Sequence, residues 1–115
     1  MDGWTPDIVH AHDWQAGLTP VFAAQMGSTV PSVLTIHNIA YQGAFPESAV
    51  DEVGLGGFRE MLHQDHLRAG AVSFLETGLL HADVVTTVSE TYAREIQTAT
   101  FGMGLEGLLR HRSSS

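Results

Sequence analysis

Apolar residues fall along this chain in two alternating rhythms: short continuous runs, and runs spaced for one face of a helix. Pro6 precedes Asp7-Ile8-Val9-His10-Ala11, which reads as a buried strand. Asp13 follows in the position of a helix N-cap. Trp14, Leu18, Val21 and Phe22, then Gln25, recur at helical spacing. Pro20 lies inside that pattern and predicts a kink or restart at Thr19-Pro20. Gly27 fits the left-handed residue that ends a helix. Ser32-Val33-Leu34-Thr35-Ile36 is a second buried strand, and a long loop through Gly43 and Pro46 follows.

Residues 47 to 68 give only short helical patches, broken by Gly54, Gly56 and Gly57. Ala71 to Ala82 is apolar on most faces and predicts a largely buried helix. Asp83 to Val88 is a third strand. Ser89 caps a helix reaching Ile96, and Gly102 and Gly104 lead into a last helix with Leu105, Leu108 and Leu109. Strands alternating with helices predict an α/β fold with a parallel sheet flanked by helices. Ligands of such sheets bind beyond the carboxyl ends of the strands. Two polar motifs lie there: His10-Ala11-His12-Asp13-Trp14 and His37-Asn38.

Composition narrows the function classes. Thirteen acids against five Lys and Arg give a net charge of −8, which argues against a nucleic-acid partner. The absence of cysteine removes disulfides and thiolate metal sites. No basic-then-apolar leader follows Met1, and no apolar stretch has membrane-spanning length. The expected setting is the cytoplasm, or a plastid for a plant protein, with no membrane partner. The serines at 113–115 read as a frayed polar end.

The candidate chemistry sits at the strand ends. His10 and His12, two apart on a strand, face one side. They suit either a metal-dependent hydrolase or a packed histidine beside one lining a cleft. Asp13 suits a helix cap or a ligand contact. Trp14 suits the core or a sugar-stacking surface. His37-Asn38 suits a turn with an unusual angle at Asn38, or a crevice shared with Asp13. Gly43 in Tyr41-Gln42-Gly43 permits close backbone approach. Gly102-Met103-Gly104 lacks the strand and the Lys that a phosphate loop needs. Arg110 and Arg112 read as a solvated helix end, and Met61 to Arg68, with His63 and His66, as an exposed polar stretch.

Together these segments are more specific than any one of them. Pro6 to Leu18 and Thr35-Ile36-His37-Asn38-Ile39-Ala40-Tyr41-Gln42-Gly43 resemble two hallmarks of bacterial glycogen synthases and plant starch synthases. Ser73 to Leu79, Ala82-Asp83, Val88-Ser89, Thr91 to Ile96 and Gly104 to Leu109 continue the resemblance in order. It implies a Rossmann-like N-terminal, acceptor-side domain of a GT-B glycosyltransferase, of which residues 1–115 are an internal part. The upstream lysine-glycine-glycine loop and the C-terminal nucleotide domain would lie in the remainder of the polypeptide.

The implied activity is retaining transfer of glucose from ADP-glucose or UDP-glucose to the non-reducing end of an α-1,4-glucan, with no cofactor and no metal. The implied catalytic residues are His37 and Asp13. Trp14, Asn38, His12 and Tyr41 are the implied substrate contacts. The rival classes are a hydrolase with a metal on His10 and His12, and a non-catalytic glucan-binding module. An isolated stretch of this kind is expected to be marginally stable and prone to associate, with bare strand edges and with helix faces at 14–26 and 71–82 that lack some of their partners.

Overall fold

A computed structural model describes residues 6–113; Met1 to Thr5 and the last two serines, and with them the readings made there, lie outside the described residues. The main sheet holds β1 (Val9–His12), β2 (Ser32–Ile36) and β5 (Val84–Thr87), all parallel, in the order β1-β2-β5. The register sets Ala11 beside Leu34 and Leu34 beside Val85. Each strand thus points its small or branched apolar residues to the same face. The strand ends His12 and Ile36 reach the same edge of the sheet. The predicted α/β class and all three strands stand, with β1 shifted toward the motif.

The inward face is covered by α4 (Phe74–His81), α5 (Glu90–Glu95) and α6 (Glu106–His111). Leu34, Ile36, Leu75 and Leu79 are fully enclosed, with Ile96, Leu105 and Leu109 beside them. Ser89 and Ser73 cap α5 and α4 by accepting from Tyr92 N and Glu76 N. The opposite face presents His10, His12, Val84 and Thr86 at the surface.

The 14–25 pattern restarts at Thr19-Pro20 as expected: a 3-10 turn at Trp14–Ala16 gives way to α1 (Thr19–Gln25), with Pro20 in the first turn where its missing N–H costs nothing. Other local readings need correction. Ala71–Ser73 is not helix but strand β4. It pairs antiparallel with β3 (Ala44–Pro46) inside the predicted loop, setting Val72 opposite Phe45. Gly70, at φ +89°, turns the chain out of α3 (Gln64–Arg68) into that strand. Arg112 is not a solvated end: its guanidinium donates to the carbonyls of Leu79, Ala82 and Asp83, closing the carboxyl terminus of α4. On the helix faces expected to lack some partners, Val21 and Leu79 are buried whereas Met26 is exposed, and among the described residues β1 and β5 carry the open edges of the sheet.

Residues 47–73 form a satellite core, with α2 (Ala49–Glu52), a 3-10 stretch at Gly56–Met61 and α3. Val50, Leu55, Leu62 and Val72 pack there against Leu18 and Val21 of the α1 region. Among the described residues no helix is long and apolar enough to cross a membrane.

One close approach decides where the Trp14 turn sits. Gly17 lies against α4 so tightly that a Cβ there would stand 2.2 Å from Phe74 O. A Cβ on Gly78 would stand 2.6 Å from Gly17 O and 2.9 Å from Leu34 Cδ2. Gly78→Ala is therefore expected to destabilise the chain by about 1–3 kcal/mol from overpacking. That outweighs the roughly 1 kcal/mol that alanine normally gains over glycine in a helix. Urea unfolding measures it; a stabilised variant would mean that the contact is loose.

Candidate functional site

Asp13 is the first residue past β1, and its backbone extends the ladder by donating its N–H to Thr35 O at 3.0 Å. It then turns sharply, at φ 59° and ψ −171°, a conformation otherwise left to glycine. Asp13 caps no helix, since its side chain makes no bond to the following turn. Instead Oδ1 accepts the backbone N–H of His37 at 2.7 Å. The carboxylate thereby ties the carboxyl ends of β1 and β2 together. The unusual angle expected at Asn38 falls at Asp13, one strand over.

The His37 loop is held from several sides. Asn38 Oδ1 accepts from Ala40 N at 3.0 Å, closing a side-chain turn, and Asn38 O accepts from Tyr41 N at 3.2 Å. Tyr92, on α5, accepts from Ile39 N through its hydroxyl at 2.8 Å. Ile39 is buried. A loop with these anchors presents His37, Asn38 and Tyr41 from a fixed backbone.

Trp14 is both a core residue and a wall. Its ring packs against Phe45 and Phe74, with centroids 5.8 and 6.4 Å away. Gly43, at φ +62°, lets that ring in: a Cβ there would stand 2.4 Å from Trp14 Cε3. Asp13, Trp14, Gln15, Asn38 and Tyr41 together line a cleft of about 240 Å³. An open depression of about 510 Å³ continues past Trp14 and Tyr41 to Gln42, Gly43 and Met103. Tyr41 is exposed. Two neutral aromatic rims and a few polar groups suit a polyhydroxylated ligand, which offers both apolar ring faces and hydroxyls.

His12 and His37 do not line that cleft. They lie beside it on the open sheet face, with Nδ1 of His12 and Nε2 of His37 3.1 Å apart. Such a contact needs a proton on one ring and a lone pair on the other. The His10 ring lies tilted at 36° against that of His12, centroids 4.2 Å apart, and His10 bonds Thr35 Oγ1 at 2.6 Å; Thr35 in turn bonds Thr86 Oγ1 at 2.6 Å. His10 is thus engaged in a hydroxyl chain across the sheet.

Gln15, Gln42 and Met103 are additions that the strand-end motifs alone did not single out. Gln42 Nε2 donates to Met103 O at 2.8 Å, which draws the 101–105 turn up to the Tyr41 loop. Met103 adopts φ 55° between two glycines. That Gly102-Met103-Gly104 pattern was the available signal, and it marks a turn at the depression.

Comparison with known proteins follows the same lines. The starch synthase catalytic domain family matches residues 1–111. Glycogen synthase 1 of Bradyrhizobium diazoefficiens is 52% identical over 113 residues, covering 97% of this chain and 24% of the relative. A glycogen synthase of Roseobacter denitrificans is 54% identical over 113 residues, covering 96% of this chain and 23% of the relative. The solved catalytic domain of starch synthase IV from Arabidopsis thaliana, bound to ADP and acarbose, superimposes with a TM-score of 0.80 at 33% identity. That match covers 97% of this chain and 24% of the plant structure. The chain therefore spans about a quarter of the length of the relatives it matches.

The strained Asp13 backbone gives a direct test. Asp13→Gly removes the carboxylate but suits the angle, whereas Asp13→Ala removes the carboxylate and keeps the strain. The alanine variant is expected to be less stable than the glycine variant by about 1–2 kcal/mol. Equal urea midpoints for the two would show that Asp13 relaxes freely.

Proposed function

The chain belongs to the starch and glycogen synthase family of glycosyltransferases, and on that premise we propose that it forms the acceptor-side wall of a retaining glucosyltransferase cleft. The donor is a sugar nucleotide, ADP-glucose or UDP-glucose, and the acceptor is the non-reducing end of an α-1,4-glucan. The proposed setting is the cytoplasm, or a plastid in a plant. The observation that carries this reading is the Asp13–His37 link at 2.7 Å, which joins the ends of two parallel strands beside a cleft lined by Trp14, Asn38 and Tyr41. The plant relative solved with ADP and acarbose supports it, since those ligands represent a nucleotide and a glucan-like oligosaccharide.

The proposed chemistry needs fixed dipoles more than a strong base. As the bond from glucose to the nucleotide's phosphate breaks, positive charge grows on the sugar ring, while the phosphate leaves with the electron pair. The acceptor hydroxyl adds to the same face and passes its proton to the departing phosphate. Preorganised acceptors near the growing charge lower the barrier without rearranging during the reaction. The proposed roles follow from position. His37 places its ring and carbonyl by the transferred glucose, and His12 orients that ring through the 3.1 Å contact. Asp13 fixes the His37 backbone and faces the acceptor cleft. Trp14, Asn38 and Tyr41 hold the glucan end, so that alignment contributes a further large share.

The hydrolase alternative gains no support from the histidine face. His10 is bonded to Thr35, and among the described residues no trio that includes both His10 and His12 brings its ligand atoms within 4.8 Å of one another.

Two outcomes test the proposal. The 115-residue chain alone is expected to transfer no glucose, because these residues furnish one wall of the cleft; sustained incorporation of labelled glucose into glycogen by this chain would overturn that. In a chain of the family's full length, His37→Ala is expected to lower kcat by about 10²–10³. Its melting temperature should change little, because the ring is exposed. Steady-state kinetics beside thermal unfolding decides: near-normal turnover with unchanged melting would make His37 a turn residue only.

A further inference from the structure

The satellite core carries a side-chain cluster that the proposed transfer does not use. His63 precedes α3 as its cap, His66 lies in its first turn, and Glu76 lies in the first turn of α4. Each offers one metal-ligating atom, and the three atoms lie within 4.8 Å of one another. Among the described residues no other trio of this kind meets that limit. Nδ1 of His66 is 2.8 Å from Oε1 of Glu76, and the rings of His63 and His66 stack with centroids 4.1 Å apart. The stretch that reads as plain exposed polar sequence is therefore folded against a buried carboxylate.

We propose that His63, His66 and Glu76 bind a zinc-type divalent cation that fastens α3 to α4, apart from the glucosyl-transfer cleft. Glu76 is only 4% exposed, and a carboxylate so placed demands a compensating charge or a full set of hydrogen bonds. Two imidazoles and one carboxylate are ligands that zinc accepts, and they leave a fourth position for water. Ligand atoms around tetrahedral zinc lie roughly 3.4 Å apart, given bonds of about 2.0–2.2 Å. His66 Nδ1 and Glu76 Oε1, at 2.8 Å, stand closer than that, and the His66 side chain, 53% exposed, has room to move outward and admit the ion.

The exchange balances simply. A hydrogen bond joins His66 Nδ1 and Glu76 Oε1; the cation takes the place of the bridging proton, which passes to Nε2 of the same ring, so that a neutral imidazole and a carboxylate face the ion. His63 Nδ1 accepts from His66 N at a long 3.3 Å, so little is lost when its lone pair turns to the ion. The binding also reaches the cleft's foundation. Glu76 N donates to Ser73 Oγ at 3.1 Å, and that hydroxyl donates to Gln42 O at 3.0 Å.

Zinc chloride titrated calorimetrically into the 115-residue chain, in a buffer without chelators, is expected to give about one ion per chain at micromolar affinity. Cobalt(II) should develop the visible absorption of a low-coordinate site. His63→Gln and His66→Gln should each weaken zinc at least about tenfold. Both side chains lie at the surface edge, so circular dichroism should show each variant folded; Glu76→Gln repeats the test at the buried ligand. A variant carrying His10→Gln and His12→Gln should bind as the parent does. Zinc should also raise the melting temperature of the parent but not of His66→Gln. No saturable binding, binding that survives His66→Gln in a folded chain, or binding lost with the His10 and His12 changes would each overturn the proposal. The readout is ion binding, so none of these outcomes bears on the transfer reading.

Discussion

The Asp13 carboxylate accepting the His37 N–H is the contact on which the site's geometry rests. Parallel strands end with their last N–H and C=O groups unpaired, so chains leaving them would normally diverge. A side-chain acceptor 2.7 Å from the neighbouring strand's first free N–H holds them together. Asp13 reaches that position only by taking φ 59°, which a residue with a Cβ resists. The strain is local and the link long-range, joining residues 24 apart in sequence. Asn38 and Tyr41 inherit their placement from this link, and Trp14 its starting direction.

Trp14 depends on a second constraint, close backbone packing. Gly17 and Gly78 let the Trp14 turn lie directly on α4, and Gly43 lets the ring lie on the Tyr41 loop. Phe74 and Phe45 then fix its inner face. One aromatic ring is thus held by the core on one side and borders the cleft on the other. The geometry makes Trp14 a core residue whose free face borders the cleft.

Local rules made much of this legible from sequence. Ser32–Ile36 declared itself as a continuous β-branched run, and Ser89 and Gly27 as helix ends, because each depends on neighbours within a turn. The placement of His37-Asn38 and Asp13 at one sheet edge followed from strand and helix alternation alone. What failed was decided by distant partners. Asp13 looked like a cap because the His37 N–H, far along the chain, is invisible to local pattern. Ala71–Ser73 looked helical until Phe45 offered Val72 a partner across a two-stranded ladder. Arg112 looked solvated until the end of α4 came within reach. His63 and His66 looked merely polar for the same reason, since their partner Glu76 belongs to another helix.

These failures share a physical origin that also explains how the parts of the chain communicate. Buried polar groups must find partners, and in a small α/β unit the nearest partner is usually on another element. Each such pairing is a tie between segments. Ser32 and Asp83 join the starts of β2 and β5, with the carboxylate accepting from Ser32 N at 2.7 Å. Tyr92 joins α5 to the His37 loop, and Ser73 joins α4 to Gln42. No described side-chain donor or acceptor is left buried without a partner. The apolar contacts make the chain compact, but they leave many loop positions nearly equivalent. The polar ties remove that freedom, and they concentrate at the strand ends and at the start of α4. A loop that is to position a ligand must be fixed at its backbone before its side chains can act. Here the backbone of residues 37–43 is held by Asp13, Tyr92, Ser73 and the first amides of α4. The residues that face solvent in the cleft are therefore free to bind a ligand, because others hold the loop in place.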